Sequence, residues 1–180
     1  TQSLSAALAI AALMTFGMYA MLFLTPLYLQ SVRGSAALTA GLQLLPMSVA
    51  FVIVAQLSGW LTNKLGARIM TVGGMSGMGI GMLMMALAVT ADSIVPLEVA
   101  LCVIGIGLGL NTAPVQNVAV ASVPRERAGT ASGLVNTARM VGATLGVAIL
   151  GAVFAHFAGQ EGAAEGFLPG MRAALGLGGL

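Results

Sequence analysis

Residues 4–30 read LSAALAIAALMTFGMYAMLFLTPLYLQ, and residues 69–91 read IMTVGGMSGMGIGMLMMALAVTA. Neither stretch contains a charged residue. A helix needs about 20 apolar residues to cross about 30 Å of hydrocarbon, and both stretches are that long. Most of the chain repeats the pattern: apolar runs broken by short polar punctuation that holds almost all the charges. Only 7% of the 180 residues are Asp, Glu, Lys or Arg, against about 25% in a soluble domain. Mean hydropathy is +1.01. The expected fold is an all-α, polytopic bundle of transmembrane helices, in which lipid replaces water as the solvent.

Five full spans are expected, at about residues 4–29, 37–61, 69–90, 95–122 and 129–157, with a partial sixth at 170–180. The connections are short, so consecutive helices should be antiparallel neighbours. Residues 158–169 (AGQEGAAEGFLP) suit a longer exposed loop. The first residues lack an initiator Met and a charged leader, and the last apolar run is half a span at most. A piece of a longer transporter is therefore expected.

Net charge is +2, but no basic cluster of the kind that binds phosphate is present, so nucleic acid is not an expected partner. The single cysteine, Cys102, cannot form an intrachain disulfide. One His and no Cys pair leave no metal-ligand spacing, and no metal is expected. Nor is there a nucleophile with a positioned base, so no catalytic residue is expected.

The basic residues set an orientation. Lys64, Arg68, Arg125 and Arg127 fall on one side; the other side has Arg33 and Arg172 with the acids Asp92, Glu161 and Glu165. Basic loops face the cytoplasm, which puts the N-terminus of this chain there. Tyr28, at the outer end of span one, suits an interfacial anchor.

Small residues recur at helical spacing: Gly73, Gly77 and Gly81; Gly105 and Gly109; Gly129 and Gly133; Gly142 and Gly146. In lipid, such faces let backbones approach and gain van der Waals contact. Met75, Met78, Met82 and Met85 form one stripe of span three, suited to filling a core, facing lipid or binding apolar ligands.

Function must lie with polar residues inside the spans. Arg139 sits far past Arg127 in span five, where a charge costs about 2.5–3.5 kcal/mol on insertion scales. Asn136 shares its face. The pair either lines a cavity or gate, or Arg139 snorkels and bonds helix-end carbonyls. Asn111 lies beside Pro114, which should loosen span four; it lines a path or bonds a neighbouring helix. Gln43 in span two and Tyr19 in mid-span one are further candidates for the path. Gln116 and Asn117 are explained by interfacial solvation. No carboxylate lies mid-membrane, so a proton-carrying acid is expected outside this chain, with Glu98 the only local candidate.

Two signatures carry a resemblance. Residues 59–68, GWLTNKLGAR, resemble the GxxxD(R/K)xG(R/K)(R/K) loop of the major facilitator superfamily. Gly59 and Gly66 would permit a tight turn, Lys64 and Arg68 would hold the cytoplasmic side, and Asn63 replaces the family's Asp. Residues 123–139, VPRERAGTASGLVNTAR, together with FLTPLYLQSVRG (23–34) and AGLQLLP (40–46), are similar to the C-terminal half of the fourteen-span drug:proton antiporters. The spans would be the ninth to thirteenth, with the fourteenth cut short. The resemblance implies export of small amphipathic, often cationic compounds from a bacterial inner membrane. Export would be driven by the proton gradient, with no other cofactor, through alternating access against an N-terminal half. An exporter of one metabolite, or a non-transporting scaffold, is the competing expectation.

Overall fold

The computed structural model describes residues 2–89, 93–160 and 167–178. These form α1 (Gln2–Ser31), α2 (Ala37–Gln43), α3 (Leu45–Leu65), α4 (Ala67–Ala88), α5 (Val95–Ala121), a 3-10 turn (Arg125–Arg127), α6 (Ala128–Gln160) and α7 (Phe167–Gly178). Among the described residues there is no strand. Five segments are long and apolar enough to cross a membrane: α1, α2 with α3, α4, α5, and the turn with α6 as far as His156. The protein is thus a multi-pass helical bundle. Asp92, Glu161 and Glu165, used above for orientation, lie outside the described residues, as does the middle of the expected 158–169 loop. The ends of that loop are helical: α6 continues to Gln160 and α7 starts at Phe167.

Span two is not one helix. It breaks at Leu44, two residues before Pro46. Proline has no N–H to donate to the Leu42 carbonyl, and its ring crowds that turn. Pro46 therefore sits in the first turn of α3, where the missing donor costs nothing. Pro114 behaves differently. Span four was expected to loosen there, yet α5 runs unbroken through it. The carbonyl that Pro114 leaves without a helical donor belongs to Leu110, and Ser58 of α3 donates to it at 3.0 Å. Ser58 is fully buried. Ser58→Ala would orphan that carbonyl, and is expected to destabilise the protein by about 1–3 kcal/mol. The unfolding midpoint in detergent measures this; an unchanged midpoint would show that water or relaxation supplies the bond.

Glycines fix which helices touch. A Cβ at Gly105 would strike the Met47 carbonyl of α3, and one at Gly109 would lie 2.8 Å from Val54 Cβ. On the opposite side of α5, a Cβ at Gly107 would lie 2.7 Å from both Gly74 O and Met78 N of α4. So α5 is gripped between α3 and α4 by backbone-to-backbone contact. Likewise α6 lies directly on α1, where Gly142 and Gly146 face the carbonyls of Ala12 and Phe16. α7 packs against α6 and α4. Two expectations are corrected. In α4 the close contacts are at Gly74 and the expected Gly81, with Gly77 in ordinary contact with Gly107, while Gly73 faces open space; Gly74 takes the place expected of Gly73. Gly129 and Gly133 have nothing within 4 Å.

The main core joins α1, α4, α5 and α7 around Met21, Leu24, Met82, Met85, Leu101 and Leu175. The methionine stripe of α4 is mostly core filling: Met78, Met82 and Met85 are buried. Tyr28 is also buried, at 2% exposure, rather than anchored in an interface. Its hydroxyl donates to the Val89 carbonyl at 2.8 Å and accepts from Arg33 Nε at 2.9 Å, tying the end of α1 to the end of α4. By contrast α3 and α6 leave long apolar faces exposed, including Val52, Ile53, Leu57 and Trp60 on α3.

Candidate functional site

Four helices wall a cavity of about 610 Å³. α1 contributes Met14, Thr15, Met18 and Tyr19, α3 contributes Phe51, and α5 contributes Leu108 and Thr112. From α6 come Asn136, Arg139, Met140, Ala143 and Thr144. These α6 positions recur at three- and four-residue steps, so they form one face of the helix. The cavity is mainly apolar with a few convergent polar groups, the usual make-up of a small-molecule site.

The structure brings together three of the five expected path residues: Tyr19, Asn136 and Arg139. Thr15 locks their two helices at this depth. Its hydroxyl lies 2.8 Å from the Arg139 carbonyl and also within reach of Ala11 O and Ala12 O on its own helix. Arg139 is about three turns into α6, too deep to be an end-of-helix charge. Its Nε is buried and has no hydrogen-bond partner among the described residues.

Asn111 is elsewhere. It is fully buried on the α4 side of α5, where Nδ2 donates to the Gly107 carbonyl at 3.2 Å. A Cβ added at Gly74 would come within 2.5 Å of that nitrogen, so Gly74 is what admits the amide. Asn111 packs against Gly74 of α4 but bonds only its own helix, and its Oδ1 is buried with no partner among the described residues, so it neither lines this cavity nor bonds a neighbouring helix. Its neighbour Thr112 faces the cavity instead. Gln43 lies at the end of α2, half-buried, with Oε1 buried and unbonded among the described residues; it does not line the cavity. Gln116, expected to be solvated, instead donates to Ser132 Oγ at 2.9 Å, joining α5 to α6.

The polar groups at the wall have distinct roles. Thr112 and Thr144 each donate to a carbonyl of their own helix, at 3.0 Å and 2.9 Å. Only their oxygen lone pairs remain for the cavity. Asn136 is exposed to it, and its amide can donate and accept. Sequence reasoning missed Thr15, Phe51, Thr112 and the Met140–Thr144 part of the α6 face. The signal for the last was present: Met140, Ala143 and Thr144 continue the Asn136 face at four, seven and eight residues.

A second cavity, of about 580 Å³, lies between α1 and α4 beside Gly178. Met75, Met78 and Met82 line it, and among the described residues Ser76 is its only hydrogen-bonding side chain. It offers a ligand shape but almost no means of orientation.

In the loop motif, α3 and α4 are joined by Gly66 alone, at φ +86°, a conformation glycine adopts at little cost. Gly59 does not serve the turn: it lies inside α3 with open space around it. Lys64 Nζ stands 4.0 Å from the centroid of the Trp60 ring one turn back, a cation–π contact. Asn63 and Arg68 are exposed, and no side chain caps α4.

The chain matches the sequence profile of the Major Facilitator Superfamily over residues 2–147. It is 42% identical over 153 residues to the multidrug resistance protein Stp of Mycobacterium tuberculosis, an alignment covering 84% of this chain and 28% of Stp. It is 32% identical over 168 residues to a probable actinorhodin transporter of Streptomyces coelicolor, covering 89% of this chain and 28% of that protein. It is also 32% identical over 164 residues to a tetracenomycin C resistance and export protein of Streptomyces glaucescens, covering 87% and 29%. The chain thus spans under a third of the length of these relatives.

Proposed function

Because the chain belongs to the Major Facilitator Superfamily, we propose that it forms one helical bundle of a bacterial efflux carrier. That carrier would export small amphipathic compounds across the plasma membrane. The observation that carries this reading is the cavity walled by α1, α3, α5 and α6, with apolar sides and the polar groups Thr112, Asn136, Arg139 and Thr144. Transport, not catalysis, is the activity of the family, and the names of the relatives above are those of resistance and export proteins.

The mechanism follows from the wall. A substrate buries its apolar body against Met14, Met18 and Phe51 and its polar end against α6. A second bundle, from the N-terminal half of the same transporter, closes the other side. Rocking of the two bundles exposes the cavity to each face of the membrane in turn, with proton influx as the driving force. The Lys64 end faces the cytoplasm on the strength of its basic loops, and so does the start of α1. The scaffold alternative fits Gln116, which joins α5 to α6, and only in part Asn111, whose Nδ2 bonds its own helix while Oδ1 is buried without a partner among the described residues. It gives no reason for Arg139 Nε to be buried without a partner.

Cells stripped of their own pumps and expressing the full-length transporter should accumulate less of at least one amphipathic dye from a panel of differing charge. An uncoupler that collapses the proton gradient should restore accumulation. Unchanged accumulation across the panel would overturn multidrug export and favour a carrier of one metabolite. Efflux indifferent to the uncoupler would overturn the proton coupling.

A further inference from the structure

We infer that Arg139 makes this wall a receptor for the anionic end of an amphipathic substrate, such as an aromatic carboxylate or phenolate. The inference rests on the cavity being the substrate path. It names the chemical class that the path accepts.

Among the described residues, Arg139 is the only charged side chain lining the cavity, and no Asp or Glu lines it. A guanidinium is planar and always ionised, and carries five donors suited to a carboxylate or phenolate oxygen. Here Nε is buried with no partner among the described residues. The Arg139 carbonyl, held by Thr15, fixes the helix but offers the side chain nothing. The threonine hydroxyls have spent their protons on their own helices, so they do not compete as donors. Asn136, one turn away on the same face, adds an amide donor beside the guanidinium.

Charge then selects the ligand. A cationic amphipath would bring a like charge beside Arg139 into a cavity whose other lining is methionine, leucine, phenylalanine and alanine with the neutral Tyr19, Asn136, Thr15, Thr112 and Thr144. Those neutral groups supply no compensating negative charge, and weak screening strengthens the repulsion. An anion in the same place supplies the acceptor that Nε lacks. The wall thus favours the opposite charge from the often cationic compounds that the family resemblance implied.

The test uses the full-length transporter in everted vesicles with three probes built on one aromatic body: a carboxylate, its carboxamide and a quaternary amine. The carboxylate should be transported with the lowest KM. Arg139→Gln should raise the carboxylate KM about 10- to 100-fold, the weight of a hydrogen bond to a charged group. It should raise the carboxamide KM less, about 2- to 10-fold, because a neutral oxygen accepts a weaker bond from the guanidinium. Arg139→Lys should keep most of the carboxylate preference, because the charge remains. Surface expression and an unfolding midpoint close to the wild type's show that the variants fold. Equal loss of all three probes in Arg139→Gln would overturn the inference in favour of a structural or gating role. Wild-type transport of the amine but not the carboxylate would overturn it while leaving the efflux reading intact. Transport of none of the three would overturn the efflux reading, and this inference with it.

Discussion

Gly146→Ala should lower the stability of the transporter by about 2–3 kcal/mol, the usual range for forcing extra volume into a packed contact. Gly73→Ala should leave it unchanged or raise it by up to about 1 kcal/mol, the helix-propensity gain of alanine. The chemistry added is one methyl group in each case. At Gly146 that methyl would fall on the Phe16 carbonyl of α1, with Phe16 C and Cα only 2.7 Å and 2.8 Å away. All three are backbone atoms, so no side chain can swing aside, and the two helices must part. Parting them also pulls on the Thr15–Arg139 bond, which sits about two turns back along α6. At Gly73 nothing lies within 4 Å. Unfolding midpoints in detergent decide the pair. Equal effects at the two sites would mean that α6 does not lie on α1 as described.

Ala143→Trp should abolish export while leaving the unfolding midpoint nearly unchanged. Ala143 lines the cavity from the middle of the α6 face, between the Asn136 and Arg139 turn and Thr144. An indole there projects into about 610 Å³ of open space, so it occupies the substrate position without displacing core side chains. Ala143→Ser, which leaves the volume almost unchanged, should transport normally. Dye efflux, measured beside surface expression, separates the two outcomes. Full activity in a folded Ala143→Trp transporter would place the path elsewhere.

Much of the fold was legible because lipid imposes a simple rule: every backbone polar group must be satisfied within the helix. Long uncharged runs could therefore only be spans, and their order and bounds emerge from composition. The breaks were less legible, because a proline's effect depends on who satisfies the carbonyl it frees. Pro46 splits span two at Leu44, whereas Pro114 is absorbed because Ser58 of another helix reaches Leu110. Glycine spacing marked the faces of α5 and α6 at Gly105, Gly109, Gly142 and Gly146 that pack closely, but not the helices they meet. In α4 it marked Gly77 and Gly81, which do pack on α5, but also Gly73, one residue from the Gly74 that packs. A one-residue shift turns a helix by about 100°, and a stripe of small residues on several faces cannot fix that phase. The same limit governed the site. Asn136 and Arg139 are polar on an otherwise apolar face, so their side of α6 was readable. Asn111 and Thr112 are both polar and adjacent, and only packing decides which of them meets α4 and which meets the cavity. Tyr28 drew an interfacial reading from its position near a span end. Its bonds reach Val89, just past the end of α4, and Arg33, in the turn after its own helix.

That adjacent pair offers the most direct test of the cavity as the transport path. Asn111→Cys and Thr112→Cys would be made separately in a full-length transporter whose native Cys102 is replaced by alanine. Each would be exposed to a small, charged thiol reagent in membranes, with and without a transported substrate. Thr112→Cys should react, and substrate should slow the reaction; Asn111→Cys, sealed against Gly74, should not react. Reaction and substrate protection at position 111 with an inert position 112 would contradict the cavity described here and put the path between α4 and α5.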